Sequence, residues 1–141
     1  MSSPSWLNPE ELPEVKQLSE AECWEALAGE RIGRLAVTAD DGVDIFPVNF
    51  MVNNHELFFR SAPGSKLSAI SHSPAVAFET DGVHLLTHWS VVVRGTARRM
   101  SDEAEIIDAG IQDLSTMTTS DKWNYVRITP TSVTGISFRR I

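Results

Sequence analysis

The sequence predicts a mainly β fold, a barrel plugged by short α-helices, and two observations predict it. Apolar residues from position 31 onward recur with period two in short runs, each closed by a turn signal. Helical patterns are brief and serve only as plugs, which argues against the parallel sheet of an α/β protein.

The elements follow in order. Residues 1–17 contain Pro4, Pro9 and Pro13 with several acids and little periodicity. They read as an extended arm that packs on a neighbour or stays mobile, and residues 18–141 as the domain. Ser19 and Glu22 have capping-box spacing and open a helix with Cys23, Trp24, Leu27 and Ala28 near one face; Gly29 stops it. Residues 31–39 read as a strand, Asp41-Gly42 as a hairpin turn and residues 43–52 as the next strand. Pro47 has no N–H to give a ladder, so that strand bulges or lies at an edge there. Asn53-Asn54 turns into a third strand at 57–60. A short helix over 65–71 ends at Ser73-Pro74. Residues 75–80 form a strand closed by Asp81-Gly82, and residues 89–100 a long central one with Gly95 at a barrel corner. Ser101 caps a helix carrying Ile106, Ile107, Ile111 and Leu114. Residues 115–122 read as a loop, 125–129 as a strand broken by Pro130, and 133–141 as the last strand.

The composition narrows the function. A chain of 141 residues with 42% hydrophobic content fits one domain with a real core. No run of 18 apolar residues spans a membrane, and the start is neither basic nor followed by an apolar leader, so a cytoplasmic location is expected by default. One cysteine excludes an intrachain disulfide and a multi-cysteine zinc site, and Cys23 reads as a small buried apolar residue. The four histidines lack metal spacing. A net charge of −7 argues against general nucleic-acid binding. The basic residues are local, with Arg94, Arg98 and Arg99 together, which suits a small anionic ligand. Arg94, among valines, needs a partner, and Glu79 is the candidate.

The stretch Phe59-Arg60-Ser61-Ala62-Pro63-Gly64-Ser65-Lys66-Leu67 organises the chain. A strand ends in Arg60, a Pro-Gly turn follows, and a helix opens at Ser65-Lys66. A helix N-terminus offers unpaired N–H groups and partial positive charge; with Arg60, Lys66 and two hydroxyls it makes a socket for a phosphate. The plainer reading is a strand-to-helix connection with Ser65 as N-cap and Lys66 solvated.

Gly33-Arg34-Leu35-Ala36-Val37, Pro47-Val48-Asn49-Phe50, the Phe59–Leu67 stretch, Val76-Ala77-Phe78-Glu79-Thr80-Asp81, Trp89-Ser90-Val91, Val93-Arg94-Gly95 and Val133-Thr134-Gly135 occur in that order. Over residues 18–141 the chain resembles the pyridoxamine 5′-phosphate oxidase-like superfamily, closest to the branch of nitroimidazole-resistance reductases. The resemblance implies a split β-barrel of about six strands. It implies a homodimer with flavin sites at the subunit interface. It places Pro47, Val48, Asn49 and Phe50 along the flavin ring. Arg60, Ser61, Ser65, Lys66 and Leu67 match the region that holds the FMN phosphate, and Trp89 and Ser90 a segment reaching the partner's flavin. The more basic phosphate pattern and C-terminal substrate residues of the true oxidases are not found, so synthesis of pyridoxal phosphate is not expected.

On the residues alone, Trp89 stacks on a ring or packs in the core, and Asn49 donates to a carbonyl or faces solvent. No catalytic dyad is identified, and flavin chemistry needs none. The expected function is an FMN-dependent oxidoreductase reducing a small electron-poor substrate with a nicotinamide donor. The alternatives are a deazaflavin (coenzyme F-420) reductase or carrier, and a non-enzymatic flavin- or haem-binding module. The deazaflavin reading needs Arg94, Arg98 and Arg99 to face the site.

Overall fold

The computed structural model describes residues 15–61, 64–110 and 124–139. The elements are β1 (Val15–Gln17), α1 (Glu20–Ala28), β2 (Ile32–Ala39), β3 (Gly42–Asn53), β4 (Glu56–Ser61), α2 (Ser65–His72), β5 (Ala75–His84), β6 (Thr87–Met100), α3 (Glu103–Ala109) and β7 (Asn124–Arg139). All strand pairings are antiparallel, in the order β1-β7-β4-β3-β2-β5-β6. β6 also pairs with β7, so six strands close into a ring with β1 added outside it. That closure pairs each strand of the ring with a neighbour on both sides over part of its length, leaving local edges where a ladder stops short.

Paired residues on neighbouring strands share a face. The inner face carries Leu35 and Val37, Val48 and Phe50, Leu57 and Phe59, Phe78, Val91 and Val93, and Val126 and Ile128, all buried. α1 closes one end: Cys23, Trp24 and Leu27 join the core, and a Cβ on Gly135 would stand 2.8 Å from the Cys23 sulfur. Burial raises the Cys23 thiol pKa, the direction that suppresses thiolate chemistry. A second cluster forms under α3, where Phe58, Met100 and Ala109 pack with Tyr125. The residues Ile111 and Leu114, the 115–122 loop, residues 1–14 and the chain end at 140–141 lie outside the described residues.

The Ser19–Glu22 capping box is present in both directions. The Ser19 backbone N–H, the Lys16 ammonium and the Ser19 hydroxyl hold the Glu22 carboxyl at a pKa of about 2. A carboxyl depressed in the folded state contributes stability above its unfolded value, and that contribution disappears as pH falls towards 2. Glu22→Gln is therefore expected to flatten the stability–pH curve below pH 4.5, measured by urea midpoints from pH 2 to 6. An unchanged curve would assign the capping carboxylate no role.

Four expectations are corrected. Asp81-Gly82 is no turn: β5 runs through it to His84, with Gly82 paired to Trp89. Glycine is needed there because a Cβ would meet the indole at 2.8 Å. The turn falls at Leu85, whose φ is +56°. Pro130 does not break the final strand: it pairs with Gly95 next to a register shift, on a stretch of β7 where β4 has ended and β1 has not begun. The cap of α3 is Asp102, which accepts from the Ala104 N–H at 2.9 Å, in place of Ser101. Glu79 pairs with Arg34, and Arg94 stands beside Ala77. The Pro47 expectation holds as an edge, since β3 pairs β2 there while its ladder to β4 starts only at Phe50.

Candidate functional site

β4 leads directly into α2, and α2 plugs one mouth of the barrel. The N-cap of α2 is Gly64, not Ser65, and no side chain caps the helix. The Ser68 N–H already reaches the Gly64 carbonyl at 3.3 Å, so the earlier N–H groups of Ser65, Lys66 and Leu67 point out of the turn. Lys66 follows at once. Its Nζ lies 5.2 Å from the centre of the Phe46 ring and 5.9 Å from that of Phe59. Burial lowers its pKa. Among the described residues it makes no ion pair, so two aromatic faces hold a half-desolvated ammonium beside an uncapped helix start.

The other predicted residues divide between two faces. Val48 and Phe50 point inward and belong to the core, as does the wall residue Phe46, which sequence reasoning passed over although it continues their alternation. Ser61 is buried opposite Asn124, and Leu67 packs against the core. Trp89 also points inward and lies across Gly82, so its packing role is realised. Pro47, Asn49 and Ser90 project outward. Their cross-strand partners are Arg34, Ile32 and Asp81. Arg60 leaves β4 on the face of Phe58, opposite Tyr125, and so from the other side of the sheet than Phe59. The backbone of Pro47, Val48 and Asn49 has a strand neighbour on one side only.

The outer face was not legible as a unit. Arg34 donates to both oxygens of Glu79, at 3.0 Å each, and to Asp81 at 3.1 Å. Around this ionic centre stand exposed Ile32, Val43, Ile45, Val83 and Ile136 on the same face. Of the arginines on β6, Arg98 is held by Glu105, and Arg94 shares the outward parity of Arg98. Arg99 alone has the inward parity of Val93 and Ala97. The described residues contain no group of three potential metal ligands, and no helix among them is long and apolar enough to cross a membrane.

A closed antiparallel barrel of six strands with a short helix, uncapped by any side chain, across one mouth defines the class of small split barrels. This chain belongs to the pyridoxamine 5′-phosphate oxidase family, whose sequence pattern matches residues 19–137. A Corynebacterium glutamicum protein, provisionally named a pyridoxamine 5′-phosphate oxidase, is 40% identical with a TM-score of 0.81, over 89% of this chain and 99% of its own. The FAD binding protein of Mycobacterium smegmatis is 39% identical with a TM-score of 0.74, over 88% of this chain and 98% of its own. An uncharacterized Mycobacterium tuberculosis protein is 35% identical over 63% of this chain and 81% of its own.

Proposed function

We propose that this chain is a flavin-dependent oxidoreductase that acts as a homodimer, reducing a small electron-poor compound with electrons from a nicotinamide donor. Lys66 carries the reading. A cation half-removed from water, placed at uncapped N–H groups, is costly in the free protein and is offset by a dianion such as the flavin 5′-phosphate. FMN is the smallest flavin with that group, and FAD contains it too. The residues present thus fit the cofactor, and the relatives described as flavin proteins support the same reading.

Bound flavin supplies the redox chemistry itself, accepting and passing a hydride. The chain supplies position. Lys66 and the first turn of α2 bind the phosphate, and the half-paired backbone of Pro47, Val48 and Asn49 offers hydrogen bonds to the ring edge. Ser90 and Asn49 lie on the outer face with the exposed isoleucines and valines, so a second copy docking there covers the ring and excludes water. The deazaflavin reading is less supported, because Arg98 is already committed to Glu105 and Arg94 shares its outward parity beside Ala77.

The test is a titration of flavin-free protein with FMN and FAD by fluorescence quenching, followed by anaerobic mixing with a nicotinamide donor. Micromolar binding and bleaching of the flavin absorbance are expected; absence of binding to both flavins would end the proposal. For the dimer, Ile45→Asp is expected to convert the protein to a monomer in sedimentation with its circular dichroism unchanged. A variant that still sediments with the wild-type mass would remove this face from the interface.

A further inference from the structure

The sequence gathers Arg94, Arg98 and Arg99 on one strand, and the barrel sorts them. Arg98 is held by Glu105, and Arg94 shares its outward parity. Arg99 continues the inward row of Val91, Val93 and Ala97, yet it is exposed, because β6 has reached the end of the barrel there. It lines a groove of about 460 Å³ between α2 and the end of β6, a volume in the range of small-ligand sites. Leu67, Ile70 and Ala97 give the groove an apolar floor, and the exposed Ser68, Ser71 and Arg99 its rim. The floor is fixed in place. The Ala97 N–H donates to the Pro74 carbonyl at 2.8 Å and ties β6 to the segment that follows α2. Arg34, Arg98 and Arg127 are committed to carboxylates, whereas Arg99 makes no ion pair among the described residues.

We propose that this groove binds a small apolar monocarboxylate. The inference stands apart from the flavin reading. A guanidinium is a fork of parallel N–H donors that matches the two oxygens of a carboxylate. One uncommitted positive charge balances one negative charge; a dianion would bring a second charge over an apolar floor with nothing to pair it. The floor removes hydrocarbon from water, a gain that a bare inorganic anion cannot use. Ser68 and Ser71 stand one helical turn apart on the rim, and their hydroxyls can donate to the lone pairs that the fork leaves open.

The experiment titrates the full-length protein with butanoate, hexanoate and octanoate, and with octylamine, by isothermal calorimetry. The net charge of −7 favours the amine over most of the surface, so a preference for the carboxylate isolates the groove. Octanoate is expected to bind with a Kd on the order of 100 μM. Each added methylene is expected to strengthen binding by about two- to fourfold. Arg99→Gln is expected to weaken octanoate binding about tenfold or more and to remove the preference for carboxylate over amine. Ser71→Glu, which puts a competing carboxylate on the exposed rim, is expected to do the same with the circular dichroism unchanged. No octanoate binding up to about 10 mM would overturn the proposal. So would equal affinity for octanoate and octylamine, an affinity independent of chain length, or wild-type octanoate affinity in either variant.

Discussion

Lys66→Met is expected to weaken flavin binding by about 10- to 100-fold while making the ligand-free protein more stable. Both effects have one cause. In the free protein the ammonium rests between Phe46 and Phe59, and loss of water there lowers its pKa. Between its folded value and its ordinary value, the unfolded chain binds the proton more readily than the folded one. Stability of the free protein therefore rises with pH through the folded value towards 10.5, the reverse of a lysine that gains a partner. Methionine keeps the length and apolar stem, removes the buried charge, and gains on the order of 1 kcal/mol. A phosphate-bearing ligand restores the missing counter-charge, so its binding weakens as pH climbs past the folded pKa. Thermal melts of wild type and variant from pH 7 to 10.5, with and without FMN, read all three. A variant that is less stable at pH 7 and binds FMN as wild type does would place the ligand elsewhere.

The largest stability loss is expected at Gly95→Ala. A Cβ there would stand 2.3 Å from the Thr129 carbonyl oxygen and 2.9 Å from the Pro130 Cα. Both obstacles are backbone, in the longest ladder of the barrel, beside the register shift at Arg94/Gly95. No side-chain rotation relieves the contact, so the two strands must part. A cost of about 3 kcal/mol is expected, or roughly a 10 °C fall in melting temperature. Gly64→Ala is the control: its φ of 166° is extended and no atom lies within 4 Å of the new methyl. It is expected to cost under about 1 kcal/mol, the N-cap preference for glycine over alanine. Equal losses at the two positions would show that the Thr129 contact is not what demands glycine at 95.

The legible parts of this chain were the local ones. Ser19 and Glu22, Pro47 and the period-two runs each announce a structure that depends on residues near in sequence. The inward set was less legible: Val48 and Phe50, matched by resemblance to the strand along the flavin ring, have their side chains in the core. What failed was set by distant neighbours. Asp81-Gly82 has the chemistry of a turn, and only the Trp89 indole across the ladder explains a glycine inside a strand. Pro130 reads as a breaker until the flanking ladders are known to stop short of it. Of the candidate site, Lys66 at a helix start was visible, but its aromatic seat required β3 and β4 to meet beside α2. The arginines of β6 could be noticed together but not sorted, since only the barrel says which side is in.

β7 pairs with β4, β6 and β1, and every one of those strands precedes it in the chain. During synthesis the growing polypeptide can complete the β2-β3-β4 meander and the β5-β6 hairpin early, yet β4 and β6 keep bare edges until β7 emerges. Such edges invite pairing with other nascent chains. The contacts that remove them span long stretches of sequence, so closure is the slow event. Barrel assembly thus behaves as a latch set by its last strand, and mutations in β7 are expected to lower soluble yield more than their effect on the finished fold would suggest.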